Sequence, residues 1–202
     1  MKIAMNQSKN FTFQYFKQIS LISSLINVND IDKLATELKN LRKRKGRLFI
    51  LGVGGSAGNA SHAVNDFRKL CQIEAYCPTD NVSELTARIN DEGWDNSYKD
   101  YLVGSKISKK DVLIIYSVGG GSLKKKVSVN IVNAIKLAKK NQMKIISIIG
   151  KKDGFAAKNS SVKLIFDISE KKNLTPITEG LTSVVWHLLV THPKLKSNKT
   201  KW

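Results

Sequence analysis

At 202 residues, with 42% hydrophobic and 7% aromatic residues, the chain can bury one proper core and is too short for several domains. Its 34 Lys and Arg against 16 Asp and Glu leave a net charge of +18. No run approaches the roughly 18 apolar residues that span a bilayer, the first 20 residues lack the apolar core of a signal peptide, and Cys71 and Cys77 match no zinc or redox spacing. These features exclude a membrane protein and a disulfide scaffold, and a cytoplasmic protein with two reduced thiols is expected. The positive residues fall in short groups, such as 42–45, 124–126 and 171–172, with no aromatic residues interleaved. That pattern reads as solvated surface and speaks against nucleic acid as a partner.

In chain order, apolar positions at helical spacing predict one helix over residues 11–26 and a second from Asn29 or Asp30, with Ile31, Leu34, Leu38 and Leu41 on its buried stripe. Leu48, Phe49, Ile50 and Leu51 form a short apolar run that stops at Gly52 and restarts as a helix. Residues 73–78 read as a second strand and 83–90 as a helix, which Asn90, Asp91, Glu92 and Gly93 should break before helical spacing resumes over 94–103. The clearest strand is 111–117; it runs into Gly119, Gly120, Gly121 and Ser122 and then a helix to about Lys140. Further strands are expected over 144–149 and 162–168, a short helix after Gly154, a last helix over 179–190 and a frayed tail from 194.

Short apolar strands alternating with helices predict a doubly wound three-layer αβα parallel sheet of about five strands, flavodoxin-like, with extra N-terminal helices. The chain divides into helices over 1–46, a core with the last helix over 47–192, and a tail over 193–202, all in one domain. Ligands in such sheets sit at the carboxyl ends of the strands where strand order reverses. Two glycine–serine loops, 52–56 and 117–122, both follow strands and should meet there. In the first, Gly54 and Gly55 let an anion approach the backbone, the helix N-terminus adds its partial charge, and Ser56 adds a hydroxyl. His62 and Asp66, four residues apart, share a face of the helix that follows. A phosphate cradle beside an ionisable pair suits an enzyme acting on a small phosphorylated substrate.

The combination of residues 52–57 (GVGGSA), His62, Asn90-Asp91, the loop 117–122 and a late helical histidine resembles the sugar isomerase (SIS) fold, and within it the phosphoheptose isomerases. The resemblance implies interconversion of sedoheptulose 7-phosphate and D-glycero-D-manno-heptose 7-phosphate through an enediol, for heptose-containing surface polysaccharide. It places phosphate-binding serines at Ser56, Ser117 and Ser122, a substrate-contacting carboxylate at Asp91, the catalytic base at Asp66 and the catalytic histidine at His187. Glu179 stands where the family has a glutamine. Some members hold zinc through the positions of His62, Asp66, Glu179 and His187, all four of which can ligate a metal here; no nucleotide cofactor is implied. Relatives are tetramers, so a homotetramer is expected.

The chain departs from the family at Val53, where an asparagine is usual, at Asp66, usually a glutamate, and in the loop 117–122, where glycines replace two hydroxyls. Duller readings stand beside each role. Asp66 could be a surface carboxylate, His187 a core histidine, Glu179 a helix-dipole partner, Ser56 a helix cap, and Asp91 a turn residue. The competing class is a non-catalytic SIS module that binds a sugar phosphate or a replication initiator.

Overall fold

A computed structural model of the chain describes residues 2–200, with side chains from residue 7 onward. Two helices come first, α1 (Lys2–Ser24) and α2 (Val28–Lys43). Asn27 starts α2 by accepting the Asn29 N–H at 2.9 Å, and the buried stripe is Ile31, Leu34, Ala35, Leu38 and Leu41. The expected stripe is therefore the one buried. By contrast, α1 leaves Phe11, Phe13, Phe16 and Leu21 exposed.

The five strands are β1 (Leu48–Leu51), β2 (Ala75–Tyr76), β3 (Val112–Ser117), β4 (Lys144–Ile149) and β5 (Val162–Ile165). They form one parallel sheet in the order β2-β1-β3-β4-β5. Leu48 pairs with Val112 and Leu51 with Ile115, so β1 and β3 end side by side. The chain leaves β1 for β2 on one side and then starts β3 on the other, which makes the β1/β3 boundary the point of reversal. Successive side chains point to opposite faces. Leu48, Ile50, Val112, Ile114 and Tyr116 enter one core, covered by α2, α3 (Gly55–Cys71) and α8 (Leu174–Thr191). Phe49, Leu51, Leu113 and Ile115 enter the other, covered by α5 (Trp94–Gly104), α6 (Val129–Lys140) and α7 (Phe155–Asn159). Both faces are covered, which is why every residue of β1 and β3 is buried.

Several elements differ from expectation. The edge strand β2 is only two residues long, and α4 (Val82–Glu92) runs through Asn90 and Asp91. Gly93 alone, at φ 77°, separates α4 from α5. The helix expected directly after Ser122 does not start there. Ser122 and Val127 exchange backbone hydrogen bonds of 2.9 and 3.1 Å, the chain turns over Lys124, Lys125 and Lys126, and α6 begins at Val129. Ser122 Oγ accepts the Lys125 N–H at 3.2 Å, which satisfies the turn locally and removes the advantage of helix. α8 starts earlier than expected because Pro176 lies in its first turn, where the absent N–H has no partner to lose.

The tail is tied down as far as Asn198. Arg42 Nη1 donates to the carbonyls of Cys71 at 2.8 Å and Leu195 at 2.6 Å, Ser197 N–H donates to the Leu70 carbonyl at 2.8 Å, and Leu195 is fully buried. Lys201 and Trp202 lie outside the described residues. Both cysteines are buried free thiols, and burial pushes Cys71 up to about 12. Among the described residues no helix is long and apolar enough to cross a membrane.

Candidate active site

The turn from β1 into α3 builds the first part of the site. Gly54, at φ 63° and ψ −129°, occupies the position before the helix in a conformation that a side chain would strain. No side chain caps α3, and Ser56 is its second residue rather than its cap. The amides of Gly55 and Ser56 therefore have no intrahelical acceptor and, with the helix dipole, favour an anion. The Glu179 carboxylate lies beside this opening: a Cβ on Gly55 would stand 2.4 Å from Glu179 Oε2. From α5, the Tyr98 hydroxyl donates to the Gly52 carbonyl at 2.7 Å and holds the turn from the other side. Sequence reasoning missed Tyr98, since a buried tyrosine at helical spacing carries no signal of its own.

One face of α3 then carries the ionisable pair. His62 Nε2 stands 3.9 Å from Asp66 Oδ2, and Asn65 Nδ2 donates to Asp66 Oδ1 at 2.8 Å. Asp66 is only 2% exposed, so it is no surface carboxylate. α8 packs across α3 and brings His187 to this pair, with the two imidazole centres 5.5 Å apart. Val185 and Trp186 are buried while His187 is exposed, so it is no core histidine either. His187 Nδ1 lies 2.8 Å from the Ser183 carbonyl, which can only accept. Nδ1 therefore carries a proton, and Nε2 is the ring atom left to exchange a proton or bind a metal.

One ligand atom each from His62, Asp66 and His187 lies within 4.8 Å of the others. Glu179, the fourth residue expected in this group, lies outside it and against the Gly55 opening instead. Asn59 sets the alignment of the two helices. Its Nδ2 donates to the Glu179 carbonyl at 3.0 Å, and its Oδ1 accepts from Trp186 Nε1 at 3.2 Å. It too went unnoticed in the sequence, because its partners lie more than 100 positions away.

The second loop emerges from β3 beside the first. Ser117 is buried, and its Oγ accepts the Gly120 N–H at 3.0 Å. Gly121 and Ser122 lead into the lysine-bearing turn, with Ser122 at its base. Asp91, exposed at the end of α4, accepts from Asn90 Nδ2 at 2.7 Å and makes no contact with the His62 group. Asn133 Nδ2 donates to the Asp95 carbonyl at 2.9 Å, which ties the start of α5 to the start of α6. The α4–α5 junction that carries Asp91 is thus held on the side of the second loop.

The sequence of residues 14–150 matches the SIS domain. This chain belongs to the SIS-domain family. Within the family, the SIS-domain chain is 30% identical over 149 residues to the phosphoheptose isomerase of Pectobacterium atrosepticum, covering 72% of this chain and 74% of that one. It is 29% identical over 150 residues to lincomycin biosynthesis protein LmbN of Streptomyces lincolnensis; that match covers 71% of this chain and 54% of LmbN. The fold of phosphoheptose isomerase from Neisseria gonorrhoeae superimposes with a TM-score of 0.77 at 20% identity, over 93% of this chain and 97% of that one.

Proposed function

We propose that this SIS-domain protein is an aldose–ketose isomerase that converts sedoheptulose 7-phosphate to D-glycero-D-manno-heptose 7-phosphate. The observation that carries the reading is the convergence of Asp66 and His187, from two different helices, on the side of the sheet where the uncapped start of α3 follows β1 and β1 pairs with β3. The phosphoheptose isomerases among the relatives supply the sugar. Gly54, Gly55, Ser56, Ser117, Gly119, Gly120, Gly121 and Ser122 hold the phosphate, and Asp91 and Glu179 contact the sugar.

The reaction moves one proton between neighbouring carbons and another between neighbouring oxygens. The buried Asp66 carboxylate takes the proton from C1 of the ketose, while His187 Nε2 gives a proton to O2, producing the enediol. His187 Nε2 then takes the O1 proton and Asp66 returns its proton to C2, so that each group ends as it began. The carbonyl of Ser183 holds the imidazole by Nδ1–H throughout and fixes where Nε2 points.

His62, Asp66 and His187 also form a nitrogen and oxygen donor set of the kind that binds catalytic zinc. A bound zinc ion would polarise the substrate oxygens. His187 Nε2 can bind metal or carry a proton, but not both at once, so the effect of zinc on turnover decides between these uses.

The outer face of α8 supports a homotetramer. Val184 and Leu188 flank His187 there, 58% and 42% exposed, and α1 adds its exposed phenylalanines. A second copy covering that face would shield the site from water. A cytoplasmic setting fits a phosphorylated substrate.

The test is conversion of sedoheptulose 7-phosphate followed by proton NMR, with and without zinc. Asp66→Asn should fold normally and lose about 10²- to 10⁴-fold in kcat. Turnover by wild type that survives this substitution would remove Asp66 as base. Absence of turnover, with thermal stabilisation by the sugar phosphate, would favour a binding module.

A further inference from the structure

We propose that Tyr98 is a positioning residue that fixes the first glycine turn, Gly52 to Ser56, relative to the second loop, with α5 as the strut between them; the substrate used to test it rests on the isomerase reading above. The β1–β3 ladder ends at Leu51 and Ile115, so the sheet does not hold the chain beyond Leu51 against β3. Gly52 is buried there, and among the described residues no backbone amide donates to its carbonyl. The Tyr98 hydroxyl does, at 2.7 Å. Tyr98 is 1% exposed, and burial pushes its hydroxyl above the usual tyrosine range, so it keeps its proton. Gly52 passes the restraint on. A Cβ there would stand 2.2 Å from the Ser56 carbonyl and 2.8 Å from the Ala57 nitrogen, so the end of β1 is seated directly on the first turn of α3.

The other end of the strut meets the second loop through α6. Asn133 Nδ2 donates to the carbonyl of Asp95, one turn before Tyr98 on α5. Tyr98 also shares its core with Ile131, Ala134 and Ile135 of α6 and with Ile115 of β3. The start of α6 in turn backs the second loop: a Cβ on Gly121 would meet Val132 Cγ2 at 2.8 Å and the Ser128 carbonyl at 3.2 Å. A continuous path of contacts therefore runs from Gly52 through Tyr98, α5 and α6 to Gly121. The Trp94 ring, 5.9 Å from that of Tyr98, joins the α4–α5 junction at Gly93 to the same strut. A ligand that touches both loops responds to their separation, and Tyr98 sets it.

The hydroxyl carries this role and the ring does not. A phenylalanine ring would fill the same core, whereas only the O–H reaches Gly52. Without it a buried carbonyl is left with no donor, a state that a shift of the turn towards water relieves. Ser56 moves with Gly52, so the first loop leaves the place where it meets a ligand held by the second.

Tyr98→Phe removes the hydroxyl alone. Its Tm should fall by about 2–12 °C, KM for sedoheptulose 7-phosphate should rise about tenfold, and kcat should stay within about threefold of wild type. Asp111→Asn breaks a buried bond network at the amino end of β3, away from both loops, and supplies a comparable loss of stability; its KM should match wild type. A Tyr98→Phe protein with KM within about threefold of wild type overturns the assignment. An equal rise in KM for Asp111→Asn does the same, because lost stability would then be the cause. Asn133→Ala cuts the far end of the strut at an exposed bond, so KM should rise there with Tm almost unchanged; it covers the case in which Tyr98→Phe does not fold, and an unchanged KM there overturns the strut. Where the wild type binds sedoheptulose 7-phosphate without converting it, the same comparison is made on the dissociation constant: weaker binding in Tyr98→Phe but not in Asp111→Asn upholds Tyr98 while the isomerase reading fails. A wild type that neither converts nor binds it overturns both.

Discussion

Asn59 offers the sharpest test of how the fold assembles the site. Its side chain is the hydrogen-bond bridge from α3 to both the Glu179 turn and the Trp186 turn of α8, and His187 follows Trp186 directly. In Asn59→Ala the Trp186 indole N–H loses its acceptor inside a residue that is 0% exposed, a loss of about 1–3 kcal/mol. The Glu179 carbonyl loses a donor next to half-open surface, about 0.5–1.5 kcal/mol. Together the variant should be destabilised by about 2–4 kcal/mol. For a chain of this length that is roughly 5–12 °C in Tm. Turnover should fall further than stability requires, because a displacement of about 1 Å at His187 is enough to lose on the order of 10²-fold. Asn59→Asp separates the two bonds: it keeps the acceptor for Trp186 but sets a carboxylate oxygen against the Glu179 carbonyl. Denaturant unfolding and steady-state kinetics on the same preparations measure both effects. An Asn59→Ala protein within about 0.5 kcal/mol of wild type and fully active would refute the idea that this bridge aligns the helices.

Gly55→Ala probes the first anion site. Its Cβ would meet only the end of the flexible Glu179 side chain, so stability should hold or improve by about 0.5–1 kcal/mol from reduced unfolded-state entropy. The displaced carboxylate and added methyl should nevertheless raise KM about tenfold; an unchanged KM would place the phosphate elsewhere. Asp111→Asn probes the sheet far from the chemistry. Burial pushes the Asp111 carboxyl upward, but the Arg47 guanidinium and the backbone amides of Arg47 and Ser108 outweigh it and hold it below the usual carboxylate range. A carboxyl held low in the folded state stabilises fully above its unfolded pKa of about 3.9 and loses that contribution as pH falls through its folded value. The variant should therefore be about 1–3 kcal/mol less stable near neutral pH, with the gap closing below about pH 4 in acid-unfolding measurements. A gap that widens on acidification would contradict the arrangement.

The local pattern of this chain determined its parallel sheet. Runs such as Leu48 to Leu51 and Val112 to Tyr116 are apolar at every position, and only a strand covered on both faces buries all of them. Glycines at the ends of those runs located the two loops, and the spacing of His62 and Asp66 put both on one face of α3. These features depend on neighbours a few residues apart, which is the range over which backbone geometry is set. The tertiary structure decided the rest. Whether His187 was a core residue or a site residue depended on which face of α8 met α3, a matter settled by Asn59 and Trp186 across a long stretch of chain. Glu179, expected with the metal-ligating group, went to the Gly55 opening because its place on α8 lies two turns before His187. The lysine turn after Ser122 displaced the start of α6 to Val129, although lysines by themselves favour helix. The tail was pinned by Arg42, whose guanidinium found carbonyls from two distant segments. Each of these outcomes is a contact between segments remote in sequence, formed only once the sheet had brought them together.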